Sequence, residues 1–104
     1  MAFQYKADFD KLDWQSPIVG VRHKVIDQNP IRMRLVEYSK SMPPHWCQKR
    51  HYGYLIEGQM EMEYAHSKVI YNPGDGIFIP DGPEHQHRGR VLSDTALVFL
   101  IENI

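Results

Sequence analysis

Apolar and polar positions alternate in short runs along this chain, and no stretch repeats apolar residues at helical spacing over a useful length. Ile31, Met33 and Leu35 alternate with Arg32 and Arg34, and Met60, Met62 and Tyr64 alternate with Gln59, Glu61 and Glu63. Successive side chains of a strand point to opposite faces, so each run carries one apolar and one polar face and predicts a half-buried strand. The same pattern predicts strands at residues 18–25, 52–56, 68–71, 76–79, 85–91 and 95–102. Between them lie turn signals: residues 65–67 read as a hairpin tip. Asn72-Pro73-Gly74-Asp75 is a turn by its chemistry, Pro fixing one φ and Gly supplying a positive one. The fold class is therefore all-β.

Many short strands in one small domain must dispose of their edges, and the solutions are a sandwich, a jelly roll or a closed barrel. A length of 104 residues suits one domain. With 42% hydrophobic and 24% charged residues the chain has enough apolar material for a core and is not of the disordered class. Residues 1–17 hold Phe3, Tyr5, Phe9, Leu12 and Trp14, and an aromatic-rich terminus reads as an extra strand packed on the body or an arm exchanged with a second subunit. Residues 18–104 form the body.

A net charge of −1 and the absence of any run of more than two basic residues argue against nucleic acid as a partner. The longest apolar run, residues 96–101, is far short of the roughly 20 residues that cross a bilayer. Neither a membrane span nor a signal peptide is expected. One cysteine, Cys47, closes no disulfide within a chain, which fits a reducing, cytoplasmic setting.

Six histidines are many for this length, and four fall in two clusters, His45 and His51 around Cys47, and His85 with His87. In the second cluster Gly74, Pro80, Gly82 and His85 follow one another with gaps of five, one and two residues. This spacing resembles the second motif of the cupin family. The first cluster resembles the family's first motif in part: anchored on Gly58, His45 falls on the first motif histidine, Cys47 on the second and His51 on the motif glutamate, while Gly89 occupies the asparagine position of the second motif. The resemblance covers roughly residues 40–90 by motif and, by strand order, the chain from Ile18 onward. It implies an antiparallel double-stranded β-helix, the cupin jelly-roll barrel. Cupins include dioxygenases, isomerases, epimerases, decarboxylases, storage proteins and sensing domains, so the fold leaves the activity open.

His45 and Cys47 are two apart, as are His85 and His87, so each pair shares a face if its segment is a strand, and His51 reaches the same region after a turn. Imidazole and thiolate donors suit a divalent transition metal (Fe, Ni, Cu, Mn or Zn) rather than Mg or Ca. His45, His51 and His85 form the expected ligand set, with Cys47 or His87 joining it; a histidine at the glutamate position removes the usual anionic ligand. Burying several imidazoles without a metal or partners would cost desolvation energy. Cys47 admits three readings: metal-bound thiolate, nucleophile with a neighbouring histidine as base, or small buried hydrophobe. His23 and His66 read as ordinary core or surface residues.

Trp46, Tyr52, Tyr54 and Phe78 lie near the clusters and are candidates for an apolar wall around a small organic ligand, against the plainer alternative of core packing. Lys49, Arg50, Arg88 and Arg90 flank the clusters as a basic rim, and Arg32 and Arg34 read as exterior. Glu84, out of phase with His85, is expected to point away. The expected function is metal-assisted chemistry on a small molecule, dioxygenase-like or isomerase-like. The alternative is a non-catalytic module that binds a small ligand or metal for sensing. Exposed edge strands and the aromatic terminus predict a homodimer.

Overall fold

The computed structural model describes residues 2–104 and contains nine strands: β1 (Gln15–Ile18), β2 (Val21–Gln28), β3 (Ile31–Ser39), β4 (His51–Glu57), β5 (Met60–Glu63), β6 (Lys68–Tyr71), β7 (Gly76–Ile79), β8 (Arg88–Val91) and β9 (Thr95–Asn103). All pairings are antiparallel. One sheet runs β1-β2-β3-β9-β4-β7 and the other β6-β5-β8. The sheets pack face to face as the jelly-roll barrel, and apolar residues from both inner faces build the core. Val36, Leu55, Ile79, Val98 and Leu100 come from the larger sheet, Met60 and Val91 from the smaller.

Local chemistry sets the corners. Asn72 to Asp75 closes β6 onto β7, with Gly74 at φ 97° and the Asp75 carboxylate accepting the Asn72 backbone N–H at 2.7 Å. Gly58, the glycine of the first motif, turns β4 into β5 at φ 86°. A Cβ there would lie 2.2 Å from the Thr95 carbonyl oxygen, so both the backbone angle and the close approach require glycine.

The segment before β1 folds back on the same chain. Gln4 and Gln28 exchange backbone-to-side-chain hydrogen bonds of 2.9 Å, the Phe9 ring meets Phe99 edge-on, and Arg22 lies 4.5 Å over the Trp14 ring.

On β3 the inner face is the reverse of the one expected. Val36 is fully buried, and the residues in phase with it, Arg34 and Arg32, line the interior cavity. Met33 and Leu35 take the outer face, where Leu35 pairs with Phe99 and so lies beneath the Phe9 contact. Both faces of this strand are partly covered, so hydrophobicity alone does not tell inside from outside.

Candidate metal centre

The two sheets leave between them a cavity of about 710 Å³. Cys47, between β3 and β4, pairs with His87, just before β8: each backbone N–H donates to the other's carbonyl at 2.9 Å. Residues directly opposed in an antiparallel pair point to the same side, so this bridge brings thiol and imidazole together. His51 opens β4 opposite Ile79, and its Nε2 comes within 3.8 Å of Cys47 Sγ. Ligand-capable atoms of Cys47, His51 and His87 all lie within 4.8 Å of one another.

Hydrogen bonds assign the protons on both rings. His51 Nδ1 is 2.7 Å from a carboxylate oxygen of Glu102, and His87 Nδ1 is 3.1 Å from the carbonyl of His85. Both partners only accept, so in each neutral ring Nδ1 carries the proton and Nε2 the lone pair. His87 is 4% exposed, and its Nε2 is buried without any hydrogen-bond partner. Burial lowers the His87 pKa; the bond to the His85 carbonyl partly offsets this, and the charges of His51 and His45 add to the lowering. The ring is thus held in the neutral form that ligates metals. At sulfur, the Lys49 backbone N–H approaches to 3.4 Å.

Behind His51 lies a charged pair. Glu102 Oε2 accepts from His51 Nδ1 and from Arg34 Nη2 at 2.9 Å. Arg34 Nε is 2.9 Å from Oε1, an ion-pair contact whose N–H is not aimed closely enough to be a hydrogen bond. Burial works to raise the Glu102 pKa, but the His51 hydrogen bond and the Arg34 charge outweigh it and hold it down to about 2. His23 joins from β2, its Nδ1 3.3 Å from Arg34 Nη1; burial, then Arg34 and Arg32, lower its pKa.

The structure distributes the remaining candidates differently from the motif spacing. His45 lines the cavity but is not one of the three clustered side chains. His85 closes a 3₁₀ turn, Pro83–His85, with its side chain 44% exposed and 3.9 Å from Glu84; it reaches the cluster only through its carbonyl. The turn breaks the two-residue parity that would align His85 with His87, because β8 begins only at Arg88. The aromatic wall is absent from the cavity. His51 and Leu55 face inward on β4 and Ile77 and Ile79 on β7, so Tyr52, Tyr54 and Phe78 stand on the outer face, with Phe78 79% exposed. Trp46 lies outside as well, under the Arg88 guanidinium at 4.8 Å. Met42, Met60, Met62, Ile77 and Ile79 line the cavity instead.

Sequence reasoning did not single out Glu102, and placed Arg34 on the exterior and His23 in an ordinary role. For Glu102 the signal was present: it continues the inward parity of Ala96, Val98 and Leu100 on β9.

The chain belongs to the cupin domain family, which matches residues 32–101. No curated protein matches it. Among solved structures it is similar to KdgF from Halomonas sp., with 24% identity and a TM-score of 0.72 over 90% of this chain and 89% of that one. An RmlC-like cupin from Shewanella frigidimarina aligns with a TM-score of 0.75 at 12% identity, covering 97% and 91% of the two chains. The polyketide cyclase RemF from Streptomyces resistomycificus reaches 0.75 at 19% identity, covering 97% and 80%. At these identities the likeness is one of fold.

The donor set suits the metal ion that the family implies. A tetrahedral site with bonds of about 2.0–2.3 Å has edges of about 3.3–3.8 Å. The separation of Cys47 Sγ from His51 Nε2 is 3.8 Å, and His87 Nε2 is otherwise an orphaned buried acceptor.

Proposed function

We propose that this cupin is a metal-dependent enzyme in which Cys47, His51 and His87 hold one divalent transition metal ion beside a cavity for a small anionic organic molecule. The observation that carries the proposal is the convergence of one thiol and two imidazoles, with the His87 Nε2 lone pair buried and unpartnered. Three protein ligands leave a position for water or substrate, which favours chemistry over storage. A thiolate and two imidazoles form a borderline-soft set, unlike the two-histidine, one-carboxylate site of non-haem iron oxygenases. This supports isomerase-like over dioxygenase-like chemistry. When bound, the ion supplies Lewis acidity, polarising a carbonyl or hydroxyl oxygen of the substrate.

The chain's own groups do the rest. Arg32, Arg34, Lys49 and Arg50 line the cavity against the carboxylates of Asp81 and Glu102, a cationic excess in a chain of net charge −1. Arg34 is engaged by Glu102, Arg32 by Asp27 and Arg50 by Asp81, leaving Lys49 to hold an anionic substrate group. Met42, Met60 and Met62 give the walls adaptable apolar surface that excludes water.

The test is a panel of small hydroxy and keto acids followed by NMR with metal-loaded protein. Turnover of an anionic substrate is expected, abolished by Cys47→Ala and with KM raised about tenfold by Lys49→Ala, the loss of one charge-assisted contact. Metal-loaded protein that binds neutral compounds in preference to anions would contradict the reading. We also propose a homodimer through the outer face of β9, β4 and β7, where Ile101, Tyr54 and Phe78 are exposed on neighbouring strands.

A further inference from the structure

The Arg34–Glu102 pair has no task in holding the fold that apolar residues could not perform, since buried ion pairs are weak stabilisers compared with well-packed hydrophobes. It has a distinct relation to His51. We infer that Glu102, anchored by Arg34, is a positioning residue that fixes the His51 ring in the Nδ1–H tautomer and presents its Nε2 lone pair to the metal. This rests on the metal centre proposed above.

The geometry carries the inference at three points. The 2.7 Å His51–Glu102 contact is in the range of a charge-assisted hydrogen bond, so it fixes the ring plane as well as the tautomer. The opposite tautomer would place a proton on the atom facing Cys47 Sγ, where it would block ligation. Arg34 in turn grips the carboxylate at both oxygens, at 2.9 Å each, so the acceptor is itself held in place. His87 receives only a neutral carbonyl on its Nδ1. The two ligating rings are therefore unequal: a carboxylate behind an imidazole raises its basicity as a ligand, and a carbonyl does so less. Because Arg34 neutralises Glu102, that basicity comes without added net negative charge at the centre. The four groups sit on four strands, His23 on β2, Arg34 on β3, Glu102 on β9 and His51 on β4, and form a chain across the sheet in which His23 meets Arg34, Arg34 meets Glu102 and Glu102 meets the His51 ring.

Nitrogen-15 NMR of the histidines in metal-free protein, combined with Co²⁺ affinity by competition, tests this. In the unaltered protein His51 should be the Nδ1–H tautomer. Glu102→Gln keeps an oxygen acceptor and should keep the tautomer, with a loss of Co²⁺ affinity of a few fold. The joint Arg34→Met and Glu102→Leu variant removes both charges together, so no orphaned ion threatens folding. There His51 should lose its tautomer preference and Co²⁺ affinity should fall roughly 10–100-fold, while the thiolate-to-cobalt absorption at saturation persists. The inference is overturned if His51 is Nε2–H in protein that still binds metal, or if the joint variant loses the tautomer yet binds Co²⁺ as tightly as before. Protein with His51 as Nδ1–H that binds none of Co²⁺, Zn²⁺, Fe²⁺ or Ni²⁺ would instead remove the metal centre, and the inference with it.

Discussion

A single carboxylate on β9 shows how the interior of this barrel differs from an apolar core. Glu102 is inside because its strand parity puts it there, and it is ionised because His51 and Arg34 face it. Its pKa of about 2 lies below the ordinary 4.5, so the linkage has a definite sign. A carboxylate with a depressed folded-state value contributes stability that is complete above the unfolded value and is lost as pH falls through the folded one. In metal-free protein the urea midpoint should therefore fall between pH 4.5 and about 2, and Glu102→Gln should remove part of that fall. Asp27 and Glu63, held low chiefly by hydrogen bonds from Arg32 and Arg88, contribute to the same window and remain in the variant. A wild-type and variant pair with superimposable pH profiles would mean that Glu102 is not held in the ionised form by its neighbours.

At the level of elements, alternation and turn chemistry were good guides where the chain obeys a two-residue period. Strands at residues 68–71 and 76–79 and the Asn72 to Asp75 turn could be read directly, because Pro, Gly and Asp punctuate them. Reading failed where the period is interrupted or where both faces are covered. At residues 83–87 proline starts a 3₁₀ turn, and counting in twos across it pairs His85 with His87 although the backbone separates them. On β3 the outer face is apolar too, with Leu35 beside Phe99, which Phe9 meets edge-on, and the arginines could not be placed inside without knowing that Glu102 awaits them. All three clustered donors were thus among the candidates, Cys47 and His51 through the motif anchored on Gly58 and His87 as an additional ligand. The rest depended on long-range register. That anchor has its own test: Gly58→Ala must tolerate a positive φ and a carbonyl 2.2 Å from the new Cβ. A loss of about 2 kcal/mol or more in urea unfolding is expected. A neutral effect would mean that the β4–β5 corner can shift at little cost.

For the whole molecule, the same alternation that sends His51 inward sends aromatic residues outward. Phe78 at 79% exposure, packed at 4.8 Å against the tilted ring of Tyr52 and flanked by Tyr54, forms an apolar stripe that a second copy would cover. Light scattering after size exclusion should give a dimer, and Phe78→Glu a monomer with the metal centre intact; a monomer in both would retire the dimer. Sequence alone reads these rings as a ligand wall or as core, since proximity to histidines along the chain says nothing about which side of the sheet they occupy. Under the proposed function, register rather than motif spacing selects the ligands. Elemental analysis of untagged protein purified without chelator, set beside its His87→Ala and His85→Ala variants, addresses it directly. One transition metal ion per chain, retained in His85→Ala and lost in His87→Ala, is the predicted result; retention in His87→Ala with loss in His85→Ala would contradict the account.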